Sequence, residues 1–600
     1  MAYNRKWHRK SSLGTVVLTA ASVAALTHNY AFYYGGYDLV TMGAIGILTF
    51  TGTHLVSDGF MFLSKWFHWL DTRTPRGHKG TSGWVKHLRE IKHDLVRRGS
   101  APYWGSLKKG RGAIFSDFAS NALCLGPAGA GKDTTNIGPN ILSIRESKTI
   151  LCLKRDTYPV YADALRKRGE IVYRISVGGA LNSEIGESDR YNPMDNVADC
   201  FYRKGGIADV SSEIDEISKD LYPEPPSGSG VNKFFDNGSC TYISLCNLLG
   251  VLIKGYDATL GDGLQMLNDR DSLLHHARWA AGKLKQEDGA FAQIPLHESP
   301  WAQHQSAEDI ANFTEYLRAL ASGIVDQLTA DDTRSVDSFL TGATNQLASL
   351  NITTRAHKVM QRSTFRFAEQ KEEGKIVTVF IEADSSRLES QKMALEIIQF
   401  SMLNEWKRHP NLEKPVYLFA NEITNLRLCG LESLLTWGRA YSIKIILYIQ
   451  SLSAFRKAYG KEALSTLLSQ TEIKQFLPGQ RDPETLDMIE KMLGKYSYIS
   501  HSHRGGDQGP MGLEGYGTQE ESALLMSADE IQRCERTILF IQKNKPALVH
   551  TPSIAAIRPF RNQQGINPFY GKPYRLRVQL RLWRYYWPQD WSWKKLWGRS

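Results

Sequence analysis

Residues 121–142 read NALCLGPAGAGKDTTNIGPNIL, and this stretch decides the fold class. A short apolar run, Ala122–Leu125, leads into a glycine-rich turn in which Gly126, Gly131 and Lys132 satisfy the pattern G-x-x-x-x-G-K. Glycines let consecutive backbone N–H groups turn towards phosphate oxygens, and the start of the following helix adds positive potential. A lysine at this position reaches the outer phosphates. The stretch therefore predicts a P-loop with Lys132 as a phosphate ligand.

The candidate cofactor-binding residues are those of the loop itself: Gly126, Pro127, Ala128, Gly129, Ala130, Gly131, Lys132, Asp133 and Thr134. One position departs from the usual pattern. Asp133 stands where a Ser or Thr normally holds Mg²⁺, and Thr134 follows out of register.

Further strand-like runs follow the loop, and helix-compatible stretches separate them. These runs are Lys148–Lys154, Glu170–Ser176, Ile376–Glu382, Val416–Ala420 and Lys444–Gln450. Strands that alternate with helices predict an α/β fold with a mostly parallel sheet.

A second acidic site is expected where the run Val416–Ala420 ends, at Asn421 and Glu422. In nucleotide-hydrolysing sites the first residue after such a strand is an acid that fixes Mg²⁺, and a neighbouring acid orients the attacking water. Here Asn421 takes the first place and is, with Asp133, a candidate metal residue, while Glu422 is the candidate that polarises water. We hypothesise that Asp133 supplies near the metal the carboxylate that Asn421 lacks, since Mg²⁺ prefers anionic oxygens. The alternative is a degenerate site in which Asp133 repels the phosphates.

Strand signals disappear between about residues 205 and 350, where amphipathic segments of helix length dominate. The clearest are Cys240–Ile253, Leu273–Leu284 and Ala307–Leu328. The stretch 223–230, PEPPSGSG, is expected to be a flexible loop. This pattern predicts an all-α domain inserted into the α/β domain.

The N-terminus predicts a membrane anchor. Basic residues in positions 1–10 precede two apolar runs, Leu13–Tyr34 and Leu39–Leu63, and further basic residues follow. Each run is close to the length of about 20 residues that a helix needs to cross the hydrocarbon. The positive-inside rule then leaves both ends in the cytoplasm. A cleaved signal peptide is the alternative, but the second run would remain and a P-loop needs cytosolic ATP.

Composition limits the partners only broadly. The net charge of +11 favours nucleic acid, anionic lipid or acidic protein. Seven cysteines without a CxxC pair give neither a disulfide framework nor a zinc site. The tail from Lys572 to Arg599 alternates basic residues with tryptophans. Such a tail can stack on single-stranded bases, lie at lipid headgroups, dock a partner or stay unstructured. The glycine-rich stretch His501–Gly517 is expected to be a mobile loop.

Four motifs in a fixed order resemble those of the TraG/TraD-type coupling proteins of conjugative type IV secretion. They are Gly126–Leu142, Tyr191–Asp195 (YNPMD), Trp437–Tyr441 followed by Ile449–Ser453 (IQSLS), and Gly479–Thr485 (GQRDPET). The resemblance extends over about residues 100–550. Besides Asp133 and Asn421, it departs at Lys154-Arg155-Asp156, where the family has Lys-Gly-Glu.

The resemblance implies a RecA-like P-loop nucleotide-binding domain interrupted by an all-helical domain, in a homo-hexamer around a central channel. By position it makes Gln450 a sensor of the γ-phosphate and Arg439 a finger on the neighbouring subunit's nucleotide. The expected domains are a transmembrane hairpin (1–70), the nucleotide-binding domain in two parts (71–204 and 351–560), the all-α insertion (205–350) and the basic tail (561–600).

The function that the resemblance implies is that of a coupling ATPase at the bacterial inner membrane, with most of the chain in the cytoplasm. It would use ATP and Mg²⁺ to drive single-stranded DNA and relaxosome proteins into a type IV secretion channel. Its other partners would be the channel's ATPases and inner-membrane components. Two alternatives remain: a receptor platform that does not hydrolyse ATP, and an ATPase that handles protein effectors without touching DNA.

Overall fold

A computed structural model describes residues 79–95, 101–109, 111–179, 187–222, 233–285, 295–331, 334–503 and 516–568, together with residues 52 and 291. Apart from residue 52, the predicted membrane hairpin lies outside these ranges, as do the predicted loop 223–230 and nearly all of the basic tail. Across the described ranges, no helix combines the length and apolar character that a bilayer span requires.

The strands of the described chain are, in order, β1 (Tyr103–Lys108), β2 (Arg111–Phe115), β3 (Asn121–Leu125), β4 (Ser147–Cys152), β5 (Ile171–Ser176), β6 (Val377–Glu382), β7 (Val416–Asn421), β8 (Ile443–Ile449), β9 (Thr471–Phe476), β10 (Lys495–His503), β11 (Tyr516–Leu524), β12 (Thr537–Ile541) and β13 (Ala547–Val549). Nine of them form the main sheet, in the order β13-β12-β9-β3-β8-β7-β4-β6-β5.

The P-loop strand β3 lies inside this sheet and pairs in parallel with β8 on one side and β9 on the other. The pairs β8–β7, β7–β4, β4–β6 and β6–β5 are parallel as well. Every residue of β3, β4, β6 and β7 is buried, as expected for strands covered on both faces. The predicted α/β fold with a mostly parallel sheet is confirmed, and the six predicted strands agree with β3–β8 to within two residues at each end.

The edge beyond β9 was not predicted. There β12 pairs with β9 and β13 pairs with β12, both antiparallel. Strand β13 has only three residues, which is too short to give a periodic signal.

The helices of the described chain are α1 (Gly138–Ser143), α2 (Thr157–Arg166), α3 (Met194–Tyr202), α4 (Val210–Asp220), α5 (Lys233–Lys254), α6 (Leu260–Asn268), α7 (Arg270–Ala280), α8 (Ala307–Leu328), α9 (Arg334–Leu347), α10 (Arg355–Val359), α11 (Leu388–Arg408), α12 (Leu431–Trp437), α13 (Leu452–Tyr459), α14 (Lys461–Gln470), α15 (Pro483–Leu493), α16 (Ala528–Arg533) and α17 (Arg558–Arg561).

Between β5 and β6 the described residues form helices and no strand. The predicted helix Ala307–Leu328 has those bounds, and Ser306 caps it by accepting a hydrogen bond from the backbone N–H of Asp309. The helix predicted to run to Leu284 ends at Ala280 instead. Its carboxyl end is followed by Gly282 at φ +68°, a left-handed conformation that stops a helix.

Among the described residues, those in 79–83 and 490–527 form a unit separate from those in 84–489 and 528–568. In the first unit β10 and β11 pair antiparallel from Lys495↔Leu524 to His503↔Tyr516. The prediction of a loop over His501–Gly517 was therefore wrong at both ends, which belong to strands. Residues 504–515, between the strands, lie outside the described ranges.

Candidate nucleotide-binding site

The P-loop leaves β3 at the carboxyl edge of the parallel strands. The N–H of Gly126 donates to the carbonyl of Ile449, 3.1 Å away, so the loop begins against the end of β8. A Cβ at Gly126 would lie 2.9 Å from Leu477 Cδ1 and 3.1 Å from Lys132 Cγ. Gly129 and Gly131 have φ of +80° and +79°, which only glycine adopts without strain. These three glycines are needed for the shape of the loop.

Lys132 lies inside the curve of this loop. Its Nζ donates to the carbonyl of Gly126 at 2.6 Å. Partial burial lowers the pKa of Lys132, while Asp133 and Glu422 act to raise it. The ammonium is thus held where phosphate oxygens would lie in a P-loop.

The first turn after Lys132 is a π-helix, Asp133–Ile137, which runs directly into α1. Turns of this kind are frequent at functional sites. Asn136 anchors it: its Nδ2 donates to Gln475 Oε1 at 2.5 Å and its Oδ1 accepts from Tyr448 Oη at 2.7 Å. Asn140 Nδ2 also donates to Asn136 Oδ1, at 2.8 Å. Sequence reasoning missed this buried network, because its members come from three separate segments of the chain.

The structure brings together the two positions that depart from the family pattern. Asn421 ends β7, and its Nδ2 donates to Asp133 Oδ1 at 3.3 Å. The opposite amide orientation would turn Asn421 Oδ1 towards the Asp133 carboxylate, and two acceptors would then repel each other. The orientation with Nδ2 facing Asp133 is therefore the favourable one. Asn421 therefore presents a donor, and Asp133 is the anion at this position.

Glu422 follows in a strained conformation, with φ of +55°. Left-handed backbone in a residue with a side chain costs about 1–3 kcal/mol and is concentrated at functional sites. Here it lets the chain turn sharply after β7, with the Glu422 carbonyl accepting from the N–H of Asn425 at 2.9 Å.

Lys154 connects the two acids. Its Nζ lies 3.6 Å from Asp133 Oδ2 and 3.6 Å from Glu422 Oε1. Burial acts to lower the pKa of Lys154, but Asp133 and Glu422, together with Asp156 and Cys152, outweigh it and the pKa is raised. Sequence reasoning assigned Lys154 no role beyond its place in a divergent motif. Its position depends on the pairing of β4 with β7, which no local pattern indicates.

Two of the motifs named above meet beside the loop. Gln450 follows β8 directly and is half-buried. Just beyond it, Ser453 Oγ donates to Asp482 Oδ1 at 2.6 Å. The N–H of Leu452 donates to Thr485 Oγ1 at 3.1 Å. The segments 450–453 and 479–485 are thus joined at the same edge of the sheet as the P-loop.

Arg439 does not belong to this edge. It is exposed in a short 3₁₀ turn, Gly438–Tyr441, that precedes β8. Strand β8 has seven residues, which separates its ends by about 20 Å at ~3.3 Å per residue. Because the P-loop lies at the far end of β8, the Arg439 turn is remote from the phosphate loop of its own chain.

The donor set fits a nucleotide with Mg²⁺. Mg²⁺ bound with nucleotide usually takes one or two carboxylates, phosphate oxygens and waters, and the carboxylates here are Asp133 and Glu422. In the part of the chain that the structure describes, no group of three or more His, Cys, Asp or Glu side chains is arranged to hold a metal. Protein ligands alone do not form the site, so phosphate oxygens and water would have to complete it.

Comparison with known proteins agrees with this geometry. The sequence model of the family described as "Type IV secretory system Conjugative DNA transfer" matches residues 76–552. The chain is 20% identical over 507 residues to Protein VirD4 of Rhizobium radiobacter, covering 82% of this chain and 65% of that protein. It therefore spans just under two thirds of the length of this curated relative.

Solved structures of similar fold belong to the bacterial conjugative coupling protein TrwB. The unbound monoclinic form of TrwBdeltaN70 has a TM-score of 0.52 at 13% identity, over 80% of this chain and 97% of that chain. TrwB in complex with ADP and Mg²⁺ has a TM-score of 0.50 at 12% identity, over 79% and 94%. TrwB with the ATP analogue ADPNP has a TM-score of 0.50 at 12% identity, over 80% and 97%.

At these identities the solved structures bear on the fold, and they support the RecA-like α/β architecture described above. The family itself rests on the match of its sequence model, which covers most of the chain. The chain belongs to the coupling-protein family of type IV secretory system conjugative DNA transfer.

Proposed function

We propose that this chain is a P-loop ATPase that couples ATP hydrolysis to the entry of DNA–protein substrates into a type IV secretion channel. One observation carries the proposal. Lys132, Asp133 and Glu422 converge at the carboxyl edge of a parallel sheet. There Lys132 Nζ donates to the Gly126 carbonyl at 2.6 Å, and Lys154 Nζ lies 3.6 Å from both Asp133 Oδ2 and Glu422 Oε1. Membership of the conjugative DNA transfer family supplies the process that this site would drive.

The proposed roles follow from the chemistry of each group. Lys132 and backbone N–H groups of residues 128–134 would hold the phosphates of ATP, and Asp133 would hold Mg²⁺, with Asn421 as its hydrogen-bonded support. Glu422 would orient the attacking water, and Gln450 would respond to the γ-phosphate. When bound, Mg²⁺ would neutralise charge on the transferred phosphoryl group.

Arg439 is proposed to act on a neighbouring copy of the chain. Its exposed turn at the opposite end of β8 keeps it from its own phosphate loop. An arginine supplied from another subunit stabilises the charge of phosphoryl transfer. This role requires an oligomer, and a homo-hexamer is proposed from the family resemblance.

The remaining proposals concern organisation. They are a membrane anchor over residues 1–70, a nucleotide-binding domain over 71–204 and 351–560, a helical insertion over 205–350 and a basic tail over 561–600. They place the chain at the bacterial inner membrane, with its bulk in the cytoplasm. Its partners would be single-stranded DNA, relaxosome proteins, and the ATPases and inner-membrane components of the channel.

A second candidate is a receptor platform that binds substrate without hydrolysing ATP. The observation that favours it is the polar end of β7: Asn421 stands in the place of the usual acid, and Lys154 lies within 3.6 Å of both carboxylates. An ammonium in this position competes with a metal ion for the same oxygens.

ATP turnover by the full-length chain in detergent, with and without single-stranded DNA, separates the two candidates. The matched blank is Glu422→Gln, which keeps the size of the side chain and removes its charge. Turnover that rises with DNA and disappears in the variant supports the ATPase. Wild-type turnover equal to the blank, in protein that is folded and oligomeric, supports the receptor platform.

A further inference from the structure

Behind the nucleotide site, two buried amide side chains face one small cavity. Gln399 on α11 is 1% exposed and Asn421 is 6% exposed. Among the described residues, neither amide atom of Gln399 has a hydrogen-bond partner, and Asn421 Oδ1 has none either. Buried polar atoms in proteins are nearly always satisfied by protein or by ordered water.

Both residues line a cavity with about 10 Å³ of room for the centre of a water molecule. That volume corresponds to about one water. The other lining residues are hydrophobic or, in one case, a cysteine: Leu151, Cys152, Leu153, Ile381, Ala383, Leu395, Ile423 and Leu426. The two amides are therefore the strong hydrogen-bonding side chains that the cavity offers.

We infer that one buried water occupies this cavity and links Gln399 to Asn421, which makes Gln399 a positioning residue for the nucleotide site. The water donates to Asn421 Oδ1 and bonds the amide of Gln399. With its carbonyl held by the water, Asn421 keeps its Nδ2 directed at Asp133, 3.3 Å away. The role in nucleotide binding rests on the proposed function, whereas the water site does not.

The charge of the nucleotide site favours one orientation of the Asn421 amide. Asp133 accepts from Asn421 Nδ2 on one side and lies 3.6 Å from Lys154 Nζ on the other. If the Asn421 amide rotated, its oxygen would face the Asp133 carboxylate and be repelled, so the carboxylate selects the observed orientation. The water complements this orientation, because it satisfies Asn421 Oδ1 inside the cavity while Nδ2 serves Asp133.

The test is Gln399→Met, which keeps the length of the side chain and removes its polar atoms. Leu395→Met, in the apolar wall of the same cavity, is the matched control. The two possibilities predict different changes in thermal stability, measured without nucleotide. If the water links the two amides, the Gln399 variant leaves Asn421 Oδ1 unsatisfied and lowers the melting temperature relative to the control. If Gln399 is unpartnered, removing its buried polar atoms leaves the melting temperature unchanged or raises it, and the inference is overturned.

A second measurement, of the Mg²⁺ dependence of ATP binding, tests whether Gln399 positions the nucleotide site. In the Gln399→Met variant, the Mg²⁺ concentration that half-saturates ATP binding should rise about fivefold, while Leu395→Met should match the wild type. An unchanged Mg²⁺ requirement in a destabilised Gln399 variant would limit Gln399 to a structural role and refute positioning. If the wild type binds no ATP, the proposed function fails, but the melting experiment still decides the water site.

Discussion

The contact between Asp133 and Asn421 gives the sharpest test of whether two unusual residues replace a usual pair. The perturbations are Asn421→Asp, Asp133→Thr and their combination. The combined variant moves the acid back to the end of β7 and places a hydroxyl after Lys132, as in the common pattern. Each single variant breaks the match between donor and acceptor, and the double variant restores one.

The structure sets the magnitudes. At 3.3 Å, the separation of Asn421 Nδ2 and Asp133 Oδ1, two unit charges repel by about 5 kcal/mol at an effective dielectric constant of ~20 and by about 1.3 kcal/mol in water. Because the Asp133 side chain is 52% exposed, about 2 kcal/mol is reasonable for the repulsion. Losing the hydrogen bond adds about 1 kcal/mol.

The assay is chemical denaturation in the presence of a chelator and without nucleotide. Asn421→Asp should lower the free energy of unfolding by about 3 kcal/mol, and Asp133→Thr by about 1 kcal/mol. The double variant should return to within about 1 kcal/mol of the wild type, since the repulsion is gone and the new hydroxyl can donate. A coupling energy above about 2 kcal/mol is within the range for residues in direct contact.

Binding of ATP with Mg²⁺ completes the test. If Asp133 serves the metal, Asp133→Thr should weaken Mg·ATP binding about tenfold, which is ~1.4 kcal/mol, and the double variant should recover most of it. Two results contradict the reasoning. Tighter Mg·ATP binding by Asp133→Thr would mean that the carboxylate repels the phosphates. Additive losses in the double variant would mean that the two residues do not compensate each other.

Three further variants test other parts of the site. In a Mg²⁺ titration, Lys154→Ala should lower the Mg²⁺ concentration that half-saturates ATP binding about two- to fivefold. The reason is that two half-exposed ion pairs, which compete with the metal, contribute about 0.2–1 kcal/mol each. A higher half-saturating Mg²⁺ concentration would show that Lys154 assists the metal. Arg439→Ala should abolish ATP turnover in an oligomer and leave the dissociation constant of ATP within about twofold, whereas wild-type turnover would refute the finger role. Lys371 Nζ donates to the carbonyls of Lys414, Tyr441 and Ser442 at 2.6–3.2 Å, beside the Arg439 turn. Lys371→Met should therefore cost about 3 kcal/mol in denaturant unfolding, against less than about 0.5 kcal/mol for the more exposed control Lys375→Met.

Much of the sheet could be predicted from the sequence, because its central strands are buried on both faces. Such strands appear as short continuous apolar runs, and β3–β8 were found from them. The P-loop was identifiable because its glycines meet a local steric need: φ is positive at Gly129 and Gly131, and Gly126 has no room for a side chain. Signals of this kind are contained in a few consecutive residues.

The rest of the site depends on which strands become neighbours. Lys154 lies near Glu422 because β4 pairs with β7, with Leu151 opposite Ala420. Gln399 lines the same cavity as Asn421, and it does so from a helix that precedes β7 in the chain. Neither arrangement leaves a periodic pattern or a motif, so neither was predicted. The antiparallel edge strands β12 and β13 were not predicted for a related reason. Their places depend on pairing with β9 and with each other, which their own residues do not indicate.

The geometry also bears on whether the site has decayed. In a P-loop site the residue after the lysine and the residue at the end of the acidic strand both serve Mg²⁺, so their closeness here is expected. The match between their hydrogen-bonding groups is not expected from this closeness. If only the position after the lysine had decayed, an acid would face an acid; if only the end of the acidic strand had decayed, two neutral side chains would face each other. This chain instead has one carboxylate and one amide donor, which match at 3.3 Å. Lys132, Glu422 and the three glycines of the loop, which a decayed site has no reason to keep, are all in place. Under the proposed function, the exchange would move the anionic ligand from one side of the metal position to the other, which favours a site that still binds Mg·ATP.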